Sequence, residues 1–498
     1  MQQHPYQQHN QQSDNLYFYQ LSKQHQKEVQ DRRYFQKVYY SSIVILMALT
    51  IYLLMNAPPS VSAEKLFLAT LIFWVGCFPG LYYVKDRERP PLPFLPLIGL
   101  FYVITFSLPI FLADGVEAYS HQLSDVSNIS LLLTLVGLIG MVFFFYISKF
   151  YIWKNIKPIQ LAQSFSIGKL SVLLWLLLIG HMAYIYLPVL RLIPSIGHLL
   201  GPGGLLCYGI FYLIWAEGKL PFMQTALLVC VFVPLEILPA FVSGLLAQPM
   251  SMVLFMIFVL WYKHRRIPIL LITITLVMFL LFNPVKHQYR SLVWRQGVNS
   301  QDNLWEKAQL FTELAIEEYT DESLDSEFMT EEENDAVSRI AHIALFSDVI
   351  QKTPAIVPYW NGYTYTAIFT KFIPRIVWPN KPMETIGNQF GHRYLFLDYR
   401  DKSTSINLPW LIELYANFGI LGVLFGMPFF GFFLAFIEQK FNNKQMNLIE
   451  IIIGITVTFT LAYQESNFSL MVGGIFSLTL ALCFIFRFFV AHNTQPVK

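Results

Sequence analysis

Long apolar runs alternate with short polar segments along most of this chain. A helix needs roughly 17 to 25 mostly apolar residues to cross about 30 Å of hydrocarbon. Runs near that length predict about twelve membrane spans. They lie at residues 38–56, 66–84, 92–113, 129–149, 170–190, 199–216, 222–246, 250–262, 267–285, 410–437, 448–463 and 468–490. The eighth of these spans is short. We therefore expect an all-α, polytopic membrane helix bundle.

The composition supports this fold class. Of the 498 residues, 55% are hydrophobic and only 13% are charged, and the mean hydropathy is +0.47; so apolar a chain is poorly suited to water. The net charge of +2 comes from scattered cations, which argues against a nucleic-acid partner. The cysteines all lie inside apolar runs without C-x-x-C spacing, so no zinc site is expected: Cys77, Cys207, Cys230 and Cys483.

The orientation follows from the cations of the short loops, because Lys and Arg resist translocation. If the spans alternate, these cations all fall on one side: Lys23, Lys27, Arg32, Arg33, Lys37, Lys85, Arg87, Arg89, Lys149, Lys154, Lys157, Lys169, Lys263, Arg265, Arg266, Lys440 and Lys444. The intervening loops carry few, chiefly Lys65 and Arg191. This bias predicts that both termini are cytoplasmic.

The same pattern divides the chain into five segments. The Gln- and His-rich start lacks a cleavable signal pattern and predicts a disordered cytoplasmic tail. The segment of about 120 residues between spans nine and ten is too long for a linker, so any chemistry is expected there. The predicted segments are a tail at 1–37, spans one to nine at 38–285, a large external loop at 286–409, spans ten to twelve at 410–490, and a cytoplasmic tail at 491–498.

Two amphipathic helices are predicted inside the external loop. The second of these helices is predicted at residues 332–351, and its spacing places Arg339, His342 and Phe346 on one face. Asp335 is four residues before Arg339, so the two could instead form a surface ion pair. An acidic exposed bend, 313–335, precedes this helix. The first helix is indicated by apolar residues three to four apart, at Leu304, Ala308, Phe311 and Ala315.

The candidate anion site lies in the segment IPRIVWPNKP, residues 373–382. Its prolines predict an extended, stiff backbone that carries Arg375 and Lys381, with Trp378 between them. Arg offers a planar fork of donors for phosphate oxygens, and Trp can lie at the headgroup level or stack on a sugar. The alternative is that these cations contact only lipid headgroups. Further cations of this region are candidate substrate contacts: Arg290, Arg339 and Arg393.

Two residues are candidates for the general base. His392, in GHRY, is the side-chain type that titrates near neutrality without help. Glu413 and Asn417 are four apart at the start of the tenth span, and a carboxylate there is costly unless it is paired or wet. The glycines of this span, Gly419, Gly422 and Gly426, predict the close approach of another helix.

A further intramembrane carboxylate, Glu236, lies between Pro234 and Pro239 in the seventh span. Two interpretations stay open for it: a partner for a polar group on a neighbouring helix, or part of a cavity.

In three motifs the chain resembles the Wzy-type O-antigen polymerases, which join oligosaccharide repeat units. The motifs are PYWNGYTY, IPRIVWPNKP and IELYANFGILGVLFG, in that order from the external loop into the tenth span. The resemblance implies a metal-independent glycosyltransferase of the bacterial inner membrane that acts on undecaprenyl-pyrophosphate-linked oligosaccharides, without a cofactor. It further implies that Arg375 and Lys381 contact the pyrophosphate, that Glu413 borders the active site, and that a chain-length regulator and a flippase are partners.

Two rival functions stay open. An O-antigen ligase is less favoured, because the related ligases have glycine at a fixed spacing after the histidine of the external loop, where this chain has Ser403 after His392. A transporter or flippase for lipid-linked sugars also fits a many-span protein, although carriers usually show internal repeats with matching interrupted helices.

The orientation makes a direct prediction. A cysteine introduced near Glu327 is expected to react with a membrane-impermeant label in intact cells, because positive charge is concentrated on the other side of the spans. Labelling only after permeabilisation would reverse the topology. A cysteine at Lys157 serves as the control and is expected to stay protected.

Overall fold

The computed structural model describes most of the membrane-spanning regions and the second half of the large loop. The described residues are 29, 33–86, 88–113, 116–119, 121–161, 165–187, 189–190, 193, 197, 200–201, 203–242, 247–266, 268–290, 292, 309–314, 316, 337–371, 373, 378 and 380–489. Both predicted tails lie almost entirely outside these ranges, except that residues 33–37 are already helical.

The described residues form an α-helical protein. The only strands among them, β1 at Glu117–Ala118 and β2 at His121–Gln122, make a short antiparallel pair. The helices are α1 at Arg33–Met55, α2 at Ala63–Lys85, α3 at Phe94–Phe111, α4 at Asn128–Ile152, α5 at Ile167–Tyr186, α6 at Gly203–Ala216, α7 at Phe222–Pro239, α8 at Ala247–His264, α9 at Ile269–Arg290, α10 at His342–Lys352, α11 at Tyr363–Lys371, α12 at Ile386–Arg393, α13 at Trp410–Phe441, α14 at Leu448–Ala462 and α15 at Phe468–Phe489.

Eight of these helices are long and apolar enough to cross a membrane: α1 to α5, α7, α13 and the greater part of α15. The predicted class of a multi-pass helical membrane protein is thereby confirmed. Each remaining predicted span also coincides with a helix, but α6, α14 and the apolar part of α8 are shorter. The total of twelve stays a prediction.

Contacts between loops group the polar segments into two ends of the bundle. At one end the loop after α4 bonds to the end of α13, where Lys440 Nζ donates to the Lys157 carbonyl at 3.1 Å. Asn442 also bonds both backbone groups of Leu92 there. At the other end Ser127 N–H donates to Ser347 Oγ of the large loop at 2.9 Å. The cation-rich loops therefore meet at one end, which we call the cationic end, as alternating spans require.

The core of the bundle is the contact between α4 and α13. Glycines bring the two backbones together: a Cβ on Gly431 would overlap the Met141 carbonyl, and one on Gly140 would lie 3.1 Å from Pro428. Trp153 Nε1 completes the seam by donating to the Phe432 carbonyl at 3.1 Å. Small residues at helix contacts are typical of membrane proteins, where packing rather than the hydrophobic effect holds helices together.

The tenth predicted span is not one straight helix, because α13 is broken at Gly419. The φ and ψ of Gly419 are 63° and −148°, and this left-handed region is readily adopted only by glycine. The chain folds back there, so that a Cβ on Gly422 or Gly426 would overlap Leu414 of the first segment. The expectation that these glycines allow another helix to approach is corrected. Gly422 and Gly426 allow the approach of the other half of α13, and Gly419 faces Tyr359 of the large loop.

The break frees carbonyl groups that the large loop then satisfies. An unbroken helix would bond the carbonyls of Ala416 and Asn417 to N–H groups four residues later. Here they accept from the N–H groups of Trp360 at 3.0 Å and Asn361 at 3.2 Å. Asn361 and Gly362 both have positive φ, 49° and 86°, and Tyr363 N–H closes the turn on the Trp360 carbonyl at 3.0 Å. Asn-Gly is the dipeptide that such turns favour.

The second predicted loop helix is also broken. Residues 337–340 are helical, Ala341 is not, and α10 begins at His342. Arg339 is exposed while His342 and Phe346 are buried, so the three do not share a face as predicted. Of the first predicted helix, residues 309–314 are helical and Phe311 packs against Tyr289 at a ring distance of 5.2 Å; Leu304, Ala308, Ala315 and most of the acidic bend lie outside the described residues.

Substituting Gly419 with Ala is expected to destabilise the protein by roughly 1–3 kcal/mol, because the positive φ is strained for a side chain and its Cβ would lie 2.6 Å from Tyr359 Oη. Gly80→Ala is the matched control, since that helical glycine has no atom within 4 Å of the added carbon. Thermal unfolding in detergent measures both variants. Equal stability of the two would contradict the strained break.

Candidate functional site

Glu413 lies inside the protein, although its place at the start of the tenth predicted span would put it near the outer surface of the membrane. Its neighbour Leu411 packs 3.1 Å from the Cβ position of Gly137, level with Val423 and Met427 on the folded-back half of α13. Gly137 is nine residues into α4, about 14 Å along the helix. The fold at Gly419 therefore carries Glu413 to a depth well within the length of a spanning helix, where it is fully buried.

Polar groups from three elements surround the Glu413 carboxylate. Its Oε2 accepts from the Phe468 N–H at 2.7 Å, which caps the start of α15. The Thr364 hydroxyl of α11 is a further hydrogen-bonding neighbour. Asn417 ties the group together, because its Nδ2 donates to Thr364 Oγ1 and to the Glu413 carbonyl, both at 2.8 Å, while its Oδ1 accepts from Gly362 N–H at 2.9 Å.

The gap between α14 and α15, residues 463–467, faces the same interior. Gln464 is fully buried and its Oε1 accepts from the Tyr102 hydroxyl in α3 at 3.3 Å. Asn467 Nδ2 donates to Glu384 Oε1 at 2.6 Å. The non-helical backbone of this gap thus places two buried polar side chains, Gln464 and Asn467, against the interior of the bundle.

Glu384 joins this gap to the large loop. Ser469 Oγ donates to its Oε1 at 2.8 Å, and Lys371 Nζ lies 2.6 Å from its Oε2, with only 6% of the Glu384 side chain exposed. Lys371 and Glu384 flank residues 372–383, so the ion pair holds the two flanking positions together beside α15. We call this ion pair the clasp.

A second acid–base pair lies at the gap. His342 Nε2 is 3.5 Å from Glu465 Oε1, and Asn407 Nδ2 donates to the same oxygen at 2.5 Å. The His342 ring is buried against Phe101 and Phe106, with ring distances of 5.8 and 6.1 Å. His342 therefore links α3 to the gap at the foot of the large loop.

Buried polar atoms without a hydrogen bond concentrate around the gap. In most proteins nearly all buried polar atoms are bonded, so each exception calls for an explanation such as bound water or ligand. Among the described residues, those near the gap are Glu413 Oε1, Gln464 Nε2, Trp410 Nε1 and His342 Nδ1. The arrangement is a polar, acid-rich interior site whose hydrogen-bonding capacity is incompletely used.

His392 lies away from this interior in its described contacts. Its Nε2 lies 2.8 Å from the Asp401 carbonyl oxygen. Hydrogen bonds from the Thr404 side chain and from the backbone of Thr404 and Ser403 hold the pKa of the Asp401 carboxyl well below its ordinary range. The charged Asp401 turn thus fixes the carbonyl that His392 contacts, which gives His392 a structural role in joining α12 to this turn.

Arg393 lies closer to the site than His392. Its guanidinium lies 4.7 Å from the centre of the Trp360 ring and donates to the Pro358 carbonyl, while its Nε is buried without a hydrogen bond among the described residues. Because Trp360 bonds to Ala416, Arg393 is attached to the same turn that docks on the break in α13.

The other predicted contacts are only partly covered. Lys381 Nζ donates to the Ile373 carbonyl at 3.0 Å and Trp378 is 38% exposed. Arg375 and the side chain of Arg290 lie outside the described residues.

The Glu236 alternatives are settled in favour of a helix partner. Its Oε2 lies 2.7 Å from His181 Nε2, and His181 Nδ1 lies 2.6 Å from the Leu200 carbonyl oxygen.

The interior residues missed by sequence reasoning are those whose partners are distant in the chain. Lys371, Glu384 and Glu465 belong to no motif, and His342 was placed only by helix spacing. One signal pointed to the gap: the polar run Gln464 to Asn467 interrupts two apolar runs with very few residues between them.

The clasp predicts strong coupling between its two residues. Lys371→Met or Glu384→Gln alone is expected to cost about 3 kcal/mol, because each leaves a buried charge without its partner, and the double variant should cost about 1–3 kcal/mol less than the sum. The exposed pair Lys219 and Glu217, at 2.7 Å, is the control and should couple by less than about 1 kcal/mol. Additive losses at the clasp, measured by unfolding in detergent, would show that the pair is not coupled.

The comparisons place the chain in a family. A family model described as a domain of unknown function, DUF8712, matches residues 207–495, which is more than half of the chain and includes α13, the clasp and the gap. Searches of curated proteins and of solved structures return no match. The chain belongs to the DUF8712 family.

Proposed function

We propose that this protein is a polymerase that joins undecaprenyl-pyrophosphate-linked oligosaccharide units into a surface polysaccharide at the outer face of the bacterial inner membrane. The observation that carries the proposal is the buried acid site around Glu413, to which two of the three resembling motifs contribute directly. Thr364 and Gly362 of PYWNGYTY bond to Asn417 of IELYANFGILGVLFG. Ionisable residues at such depth are costly and usually functional.

In this reaction an acceptor hydroxyl attacks the anomeric carbon of the donor sugar. The new glycosidic bond forms as the bond from that carbon to the pyrophosphate oxygen breaks, and the lipid pyrophosphate leaves with the electron pair. Glu413 takes the hydroxyl proton on Oε1, the oxygen without a hydrogen bond. Arg375, Lys381 and Arg393 neutralise the leaving group.

Access to Glu413 requires movement of the residues that cover it. Tyr365 stacks on Phe418 with ring centres 6.2 Å apart and also meets Phe468 at 6.1 Å. Tyr365 lies next to Thr364 on α11, so a shift of α11 uncovers the carboxylate. In this mechanism, movement of α11 opens the path by which the acceptor hydroxyl reaches Glu413.

A second candidate function is a carrier for the same lipid-linked sugars. The observation that favours it is the break of α13 at Gly419, since carriers often form their binding sites from broken helices at mid-membrane depth. The two functions differ in product: a polymerase lengthens lipid-linked oligosaccharide in detergent, whereas a carrier moves it between leaflets without lengthening it.

Glu413→Gln tests the polymerase assignment. Gln keeps the acceptor for the Phe468 N–H but cannot take a proton, so the initial rate of chain lengthening by purified protein is expected to fall roughly 100-fold or more. Glu438→Gln is the control, because this carboxylate is also buried on α13 and lies 2.6 Å from Lys149. Its loss should lower the stability of the protein but leave the rate of chain lengthening per folded molecule unchanged. A folded Glu413→Gln variant with near-normal rate would remove Glu413 as the base, and wild-type protein that moves but never lengthens lipid-linked oligosaccharide would support the carrier.

A further inference from the structure

A cavity of about 330 Å³ opens at the cationic end, at the opposite end of α14 from the gap. It lies between the end of α6, the end of α8 and the start of α14. Its lining combines cations with apolar side chains: Phe165, Leu213, Glu217, Tyr262, Lys263, Arg265, Met446, Asn447, Leu448 and Ile451.

The charges of this cavity are incompletely matched. Glu217 is the carboxylate of the lining, and it is shared: its Oε2 lies 2.7 Å from Lys219 Nζ and its Oε1 lies 3.9 Å from Lys263 Nζ. The Arg265 guanidinium lies 4.7 Å from the centre of the Tyr262 ring. Its Nη1 is buried without a hydrogen bond among the described residues. Two lysines therefore share one carboxylate, and a buried donor of Arg265 is left over.

The nearby carboxylate of Glu450 does not supply the missing acceptor. Its Oε1 accepts from the Leu161 N–H at 2.8 Å and its Oε2 from the Asn447 N–H at 2.9 Å. Both oxygens are committed to the backbone, as in the capping box that begins α14.

The backbone at Arg265 is also unusual. Arg265 directly follows the end of α8, and its φ of 57° lies in the left-handed region that commonly ends a helix. Glycine usually occupies this position, because the conformation is strained for a residue with a side chain. The next residue, Arg266, is exposed and does not line the cavity. Arg265 and Arg266 thus carry the same charge, but only Arg265 lines the cavity.

We infer that this cavity binds a phosphate group, held by Arg265 and Lys263, and that the apolar floor suits the glycerol and acyl carbons of an anionic phospholipid. Arg presents a planar fork of donors that matches phosphate oxygens. Basic pockets between membrane helices are typical sites for anionic headgroups. The inference is independent of the polymerase proposal, because it concerns the opposite end of the bundle and uses no residue of the Glu413 site.

Detergent-purified protein is titrated with phosphatidylglycerol, and in parallel with zwitterionic phosphatidylcholine. Native mass spectrometry counts the lipid molecules bound. Arg265→Gln is expected to weaken phosphatidylglycerol binding about tenfold or more, since hydrogen bonds to charged groups are the strong ones. Arg266→Gln, the matched control, should change binding less than about twofold. Lys263→Gln should act in the same direction as Arg265→Gln.

Glu217→Gln gives a change of opposite sign that misfolding does not produce. It removes the negative charge of the lining and is expected to strengthen phosphatidylglycerol binding. Competition with inorganic phosphate distinguishes the source: displacement of the lipid assigns the site to phosphate in general, and its retention assigns the site to the lipid. Equal losses in Arg265→Gln and Arg266→Gln, or unchanged binding in Glu217→Gln, would overturn the inference.

Discussion

The structure of the site depends on backbone hydrogen bonds that a broken helix releases. In a membrane, an unsatisfied carbonyl costs several kcal/mol, so a helix can break only where protein or water supplies new donors. At Gly419 the donors are the N–H groups of Trp360 and Asn361. The large loop is consequently part of the membrane bundle and not an appendage to it, because α13 cannot fold back unless the turn at Asn361 and Gly362 is in place.

The same logic applies to the charges that the break carries inward. A buried carboxylate needs partners, and the three carboxylates of the site have different kinds of partner. Glu413 accepts from the backbone N–H that begins α15. Glu384 forms an ion pair with Lys371, and Glu465 contacts His342 and Asn407. These partners all come from elements outside the carboxylate's own helix. The acid-rich interior therefore exists only in the assembled bundle, and the energy of its assembly is tied to the docking of the large loop.

The sequence predicts the membrane class and the helices well because hydropathy reports directly on the solvent of each segment. It also places Asn417 one helical turn after Glu413, and Asn417 Nδ2 donates to the backbone carbonyl of Glu413. It fails where a single residue changes the direction of the chain. Gly419 and Ala341 look like ordinary helix positions, and the partners of Glu384 and Glu465 are set by a fold that spacing does not reveal. The burial of Glu413 follows from the same break.

The clasp joins the two ends of the loop that carries the proposed pyrophosphate contacts. Lys371 and Glu384 flank residues 372–383, and their ion pair holds these flanking positions together beside α15. Closing a loop costs conformational entropy, and that cost is already met where the two ends are tied. Removing either charge therefore releases both ends at once, so a single substitution outside residues 372–383 raises the entropic cost of ordering the segment to which Arg375 and Lys381 belong.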